Sequence, residues 1–141
     1  MFSTILLPVD LQHETSWTRA LPVAREVLAE GGVLHLLGIV HDVGNAWVAS
    51  YLPKGYEARA LADMKAQLGE FVRREIGDEG NVVTHVGHGH VAETIVGTAT
   101  RIGADLIVMS SRSPDELRTF RVSSQGDRVA RHSPVSVLLV R

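Results

Sequence analysis

The chain has 141 residues, enough for one domain with a sizeable apolar core. Hydrophobic residues make up 45% and charged ones 21%, the balance of a soluble globular protein, and a net charge of −2 excludes a general nucleic-acid binder, which needs a basic surface to neutralise phosphates. The lack of cysteine removes disulfides, thiolate metal sites and thiol catalysis, and suits a reducing cytoplasm.

Met1 to Pro8 has no basic start, and its apolar run is too short for a signal peptide; no segment reaches bilayer length, so no membrane partner is expected. Thr4 to Leu7 reads as a strand that ends at Pro8, followed by Val9 and Asp10. From Ser16 the period becomes helical: Trp17, Ala20, Leu21, Ala24, Val27 and Leu28 share one face, and Gly31-Gly32 ends the run. Pro22 inside such a helix costs about 3 kcal/mol, which predicts a kink or a late helix start. Val33 to Val40 is a second strand, and residues 46–56 are irregular. A helix from about Glu57 to Ile76 follows, with Leu61, Met64, Leu68, Phe71, Val72 and Ile76 as its apolar stripe.

Asn81 to Val86 is a third strand, and Ala92 to Ile102 a helix stopped at Gly103. Ala104 to Met109, Ser123 to about Arg131, and Val135 to Val140 complete the series as strand, helix and strand. Strands alternating with helices predict an α/β fold: one doubly wound, five-stranded parallel sheet with helices on both faces, a single domain over residues 1–141. The last strand, reaching almost to the C-terminus, is expected at an edge, where an apolar strand invites a partner.

In such a sheet ligands lie beyond the carboxyl ends of the strands, where the winding reverses. Four loops begin there, at Val9-Asp10, Val40-His41, Gly87-His88-Gly89 and Ser110-Ser111-Arg112. Asp10 can accept from an adenine amino group or a ribose hydroxyl, or it can shape a turn as aspartate commonly does. Ser110, Ser111, Arg112 and Ser113 form half of an expected phosphate cradle, in which backbone N–H groups and hydroxyls hold oxygens while Arg112 neutralises charge. Ser123 and Ser124, at the start of the fourth helix, form the other half and can equally cap it. Arg118, Arg121 and Lys54 read as solvated cations, and Trp17 and Trp47 as packing residues. His85, His88 and His90 suggest a metal by spacing. With no cysteine and no carboxylate nearer than Glu93, the preferred reading is a tight turn in which Gly87 and Gly89 let a ligand approach the backbone, with no metal. The chain has no Walker loop, no nucleophile elbow and no recognisable triad, which points to a protein that binds rather than catalyses.

In this order the segments Ile5-Leu6-Leu7-Pro8-Val9-Asp10, Gly89 to Ile95, Ala104 to Arg112 and Arg131 to Arg141 resemble the universal stress protein family over nearly the full length. Trp17, Ala20-Leu21-Pro22 and the C-terminal segment are most similar to its small single-domain bacterial F- and G-type members. The resemblance implies a Rossmann-like fold of the adenine nucleotide alpha hydrolase type. It also implies ATP binding (AMP or ADP as alternatives, magnesium alongside) and a cytoplasmic sensing or regulatory role in the stress response. Family members that bind ATP carry Gly-x-x-Gly, nine residues, then Gly-Ser/Thr. The matching positions here are Ser110, Ser113, Ser123 and Ser124, so three glycines are replaced by serine, which lacks glycine's freedom at positive φ. By the same carry-over Asp10 and Val40 meet adenine, Pro8 and Met109 line the pocket near the ribose, and Val9 belongs to the same nucleotide-binding set. Ser110, Arg112, Ser113, Ser123 and Ser124 meet the phosphates. A homodimer through the C-terminal edge strand Val135 to Val140 is implied as well. The alternative is a nucleotide-free dimerisation or protein-interaction module of the same fold, in which the serines simply cap and close the loop.

Overall fold

The computed structural model describes residues 1–40, 54–78, 80–111 and 125–141. Among them the elements run β1 (Phe2–Pro8), a 3-10 turn (Glu14–Ser16), α1 (Ala20–Val27), β2 (Leu28–Val40), α2 (Tyr56–Glu75), β3 (Asn81–His88), α3 (Val91–Ile102), β4 (Leu106–Ser110), α4 (Gly126–His132) and β5 (Ser136–Val140). The five strands form one parallel sheet in the order β3-β2-β1-β4-β5. The winding therefore starts at β1, proceeds outward to β3, and reverses across β1 to β4 and β5. This is the doubly wound α/β architecture expected from the alternation of strands and helices.

Each face of the sheet has its own core because side chains alternate along a strand. Ile5, Leu7, Leu34, Leu36, Leu106 and Val108 point toward α1 and α2, where they meet Ala20, Leu21, Ala24, Leu68 and Phe71. Leu6, Leu37, Ile39, Ile107 and Met109 point the other way, toward Ile95 and Ala99 of α3 and Val129 of α4. Ile5, Leu6 and Leu7 are all fully buried, which is why this strand reads as a continuous apolar run. Trp17 packs edge-on against Phe71 with ring centroids 4.8 Å apart, a core contact.

Two sequence expectations are resolved at the first helix. Pro22 is accommodated by a late start: α1 begins at Ala20, so the proline falls in the first turn, where its missing N–H has no intrahelical partner to lose. The helix also ends earlier than its apolar spacing suggested. Leu28 already pairs with Phe2, and the register then jumps so that Thr4 pairs with Val33. The extra residues of β2 are taken up in this irregularity around Gly31, whose φ is +78.

Gly103 ends α3 as expected. It sits at φ +69, with its N–H donating to Thr100 and the next N–H, of Ala104, reaching back to Ala99. β3 runs two residues further than the hydrophobic pattern indicated, so Gly87 and His88 belong to the strand. β4 and α4 are shifted by a residue or more from their expected bounds; the expected start of the fourth helix at Ser123 lies outside the described residues, as do most of the irregular segment, Trp47, Arg118 and Arg121.

Candidate functional site

The reversal of winding places the carboxyl ends of β1 and β4 side by side. The β1–β2 ladder continues to Pro8 opposite Leu37, whereas the β1–β4 ladder ends at Leu6 opposite Ile107. Beyond that point the gap is bridged by side chains. Ser16, fully buried in the 3-10 turn, donates its hydroxyl to the Asp10 carbonyl (3.0 Å) and accepts from the Asp10 N–H (2.9 Å). Ser110, at the end of β4, donates to the Ser16 carbonyl (2.7 Å) and also lies 3.1 Å from the Thr15 carbonyl. The loop after β1 is thus fastened to the tip of β4 by two serines.

Asp10 occupies the mouth of this arrangement. Its Oδ1 accepts from the Gln12 N–H at 3.2 Å, and its Oδ2 is 3.1 Å from His13 Nδ1. The carboxylate retains 19% exposure, and each of its oxygens has a second lone-pair site, so it can still accept from a ligand N–H or O–H. Val40 reaches the same edge at the end of β2, where its carbonyl accepts from the Gly89 N–H at 3.1 Å and ties β2 to the turn before α3.

The remaining expected contacts divide into two groups. Pro8, Val9, Met109 and Ser110 are buried, and Met109 packs into the core beneath α3 and α4. The Ser110 hydroxyl, expected to face a phosphate, points inward instead, to Ser16. The Ser111 N–H pairs with the Val140 carbonyl at 2.7 Å. Arg112, Ser113, Ser123 and Ser124 lie outside the described residues. Lys54, expected as a solvated cation, is exposed. Within the described edge the chemistry is therefore that of an acceptor, centred on Asp10. Grooves of about 610 Å³ beside Trp17, Leu21 and Glu75 and about 290 Å³ beside Leu28, Gly32 and Asn81 contain none of the expected nucleotide contacts.

The histidine-rich segment divides three ways. His85 meets His35 on the α3 side of the sheet, His88 lies 3.5 Å from Glu57 of α2, and His90 precedes α3 at its N-cap. Gly87 serves a close approach of a different kind from the one expected: a Cβ there would stand 2.4 Å from Thr94 Cγ2, so the glycine seats α3 on β3. Ser16 and His13 escaped the sequence reading. Their signal was the spacing Asp10-x-x-His13-x-x-Ser16, a pattern that closes side-chain bonds within a turn.

Comparison with known proteins agrees with this architecture. "Universal stress protein G" of Escherichia coli O157:H7 is 27% identical over 143 residues, covering all of both chains. The solved structure of hypothetical protein MJ0577 superposes with a TM-score of 0.74 at 24% identity, covering 99% of this chain and 96% of that one. A universal stress protein crystallised in complex with cAMP superposes at 0.58 with 16% identity, covering 99% and 97%. The profile of the universal stress protein family matches residues 1–141, and the chain belongs to that family.

Proposed function

We propose that this chain is an adenine-nucleotide-binding stress protein, cytoplasmic and acting as one domain over residues 1–141. Its role is sensing or regulation, with ATP as the ligand, AMP or ADP as alternatives, and magnesium alongside. The observation that carries the reading is the placement of Asp10 at the carboxyl-edge reversal point, with acceptor capacity to spare. Asp10 and Val40 take the base and ribose end, and Pro8, Val9, Met109 and Ser110 form the packed wall beneath it. Arg112, Ser113, Ser123 and Ser124 hold the phosphates, at the family spacing. A universal stress protein of the same fold held cAMP in its crystal, which supports the nucleotide class. Binding is the functional event and no chemical step is assigned. The protein pairs with a second copy through β5, whose outer edge meets no further strand among the described residues and carries the exposed Leu138.

A second reading is favoured by the serine network. Because Ser110 points inward and Asp10 is already engaged by Gln12 and His13, the same residues can close the loop without any nucleotide. The chain is then a dimerisation or protein-interaction module. Calorimetric titration with ATP and magnesium, at about 0.1 mM protein so that micromolar binding is seen, separates the two. Heat of binding supports the nucleotide reading. Its absence, together with no nucleotide released from heat-denatured protein, supports the module.

A further inference from the structure

His35 on β2 and His85 on β3 form a pair to which neither the fold nor the candidate site assigns a role. His35 stands opposite Val83 and His85 opposite Leu37, so the two imidazoles are diagonal neighbours on the sheet face covered by α3. His35 Nδ1 and His85 Nε2 are 2.7 Å apart, the ring centroids 5.0 Å, and the planes differ by 22°. Nearly parallel rings with such distant centroids and such close nitrogens lie edge to edge, almost in one plane, rather than face on face. One nitrogen then donates along the line on which the other offers its lone pair. A transition metal needs about 2.0–2.1 Å to each nitrogen and cannot stand on that line. The gap holds a proton.

The surroundings are apolar or cationic. On the same face β2 presents Leu37 and Ile39, and β3 presents Val83 and Gly87. α3 turns a stripe of Thr94, Thr98 and Arg101 toward β3, with Thr94 over Gly87 and the Arg101 charge acting on His85. The acid of α3, Glu93, is exposed in its first turn, about two turns from Arg101. Among the described residues no carboxylate bonds to either ring.

We propose that His35 and His85 form an acid-responsive clasp that holds β3 to β2 until both rings are protonated. The proton inventory gives the switch its sense. In the neutral pair the inner N–H of one ring donates to the bare inner nitrogen of the other. A first proton from solvent goes to the outer nitrogen of the donor ring, and the bond persists, now charge-assisted. A second proton must take the accepting inner nitrogen, which sets N–H against N–H and two positive charges beside Arg101. The rings separate, and β3, at the edge of the sheet, loses this side-chain tie while its backbone ladder to β2 remains. Burial lowers the proton affinity of both rings, and for His85 the His35 and Arg101 charges lower it further.

The test is side-chain 15N NMR of the full chain between about pH 4.5 and 8, with amide exchange of Val82 to Val86 followed in parallel. The expected result is one protonated and one bare inner nitrogen near neutrality and two separate protonation steps. Exchange of the β3 amides, corrected for intrinsic rates, then rises about five-fold across the second step. In His35→Gln the remaining ring titrates as a single site and the exchange step disappears. Two rings titrating independently near the ordinary value of about 6.5, or β3 exchange without a step, would overturn the clasp. The wild-type titration decides the matter even if the variant fails to fold.

Discussion

The hydroxyl of Ser110 donates to the carbonyl of Ser16 across the point where the sheet reverses its winding, at 2.7 Å and away from solvent. Ser16 in turn both donates to and accepts from the backbone of Asp10. Removing the Ser16 hydroxyl leaves a part-buried N–H and carbonyl of Asp10 each short of a partner, which costs about 1–3 kcal/mol. Ser16→Ala is expected to lower the unfolding free energy by that order, read as a fall in the urea midpoint, and to loosen the Asp10 loop. Ser110→Ala removes one donor shared by two carbonyls and costs about 1 kcal/mol. Because that hydroxyl faces inward, Ser110→Ala should change ATP affinity by less than about three-fold, or about 0.6 kcal/mol. Urea denaturation and calorimetry on the same variants check both halves.

Glycine does different work at Gly87 and Gly38. A Cβ at Gly87 meets Thr94 Cγ2 at 2.4 Å, and Thr94 is held by its hydroxyl's bond to the His90 carbonyl at 2.6 Å. The β-branched threonine cannot swing aside without giving up that bond. A Cβ at Gly38 meets Met64 Sδ at 2.7 Å, on a flexible chain that can retreat. Gly87→Ala is therefore expected to cost about 1–3 kcal/mol and Gly38→Ala less. Thr94→Ala should recover much of the Gly87→Ala loss in a double-mutant cycle, since it deletes the opposing methyl. Equal losses at the two glycines, or additive effects in the cycle, would show that the contact with α3 does not set the cost.

The lowered proton affinity of His35 and His85 fixes the direction of acid sensitivity. The unfolded chain, with histidines near about 6.5, takes up protons before the native chain does as pH falls. Stability is thus fully present above about pH 6.5, declines as pH drops toward the lowered native values, and levels off below them. The urea midpoint of the wild type should fall more between about pH 7.5 and 5 than that of the His35→Gln, His85→Gln double variant. Every other titrating group is common to the two proteins and cancels in the comparison.

The sheet was legible because Ile5-Leu6-Leu7 and Leu106 to Met109 are apolar on both sides, a pattern that only a strand covered by helices requires. The boundary at Leu28 was not, because Val27-Leu28 fits a helical period as well as the start of a strand, and the register jump to Val33 depends on pairing with β1. Asp10 was placed correctly at the carboxyl edge by the order of elements alone. The inward turn of Ser110 was hidden, since a hydroxyl at a strand end reads the same whether it faces a ligand or a carbonyl of a distant turn. The His35–His85 pair was hidden for a related reason: histidines on two separate strands gain meaning as a pair only from their mutual register.

The exposed edge of β5 gives the proposed dimer a direct test. Val137 and Leu139 turn inward, against the α3 and α4 core, while Ser136 and Leu138 face outward, and Leu138 is 36% exposed. Leu138→Lys places a charge on a strand edge, a device that blocks edge-to-edge pairing without removing a core side chain. Sedimentation or light scattering should show the wild type as a dimer and the variant shifted to monomer, with the urea midpoint of the isolated monomer little changed. A wild type that is monomeric at about 0.1 mM, well above the micromolar scale of an ordinary association, would remove β5 as the interface.

Asp10 carries the sharpest prediction for the nucleotide reading. Its two oxygens already serve Gln12 and His13, so what remains for adenine is the second lone pair on each. Asp10→Asn keeps one oxygen for the Gln12 N–H but puts an NH2 where Oδ2 stood, presenting a donor to the donor amino group of the base. A hydrogen bond to a charged acceptor contributes about 1.5–3 kcal/mol, so ATP affinity should fall about tenfold or more. The oxygen left for Gln12 keeps the loop closed, and the urea midpoint should move much less than it does for Ser16→Ala. If affinity instead follows stability across Asp10→Asn and Ser16→Ala, the carboxylate acts by shaping the loop. Undiminished ATP binding by Asp10→Asn would remove Asp10 from the base site and leave the phosphate end as the source of affinity.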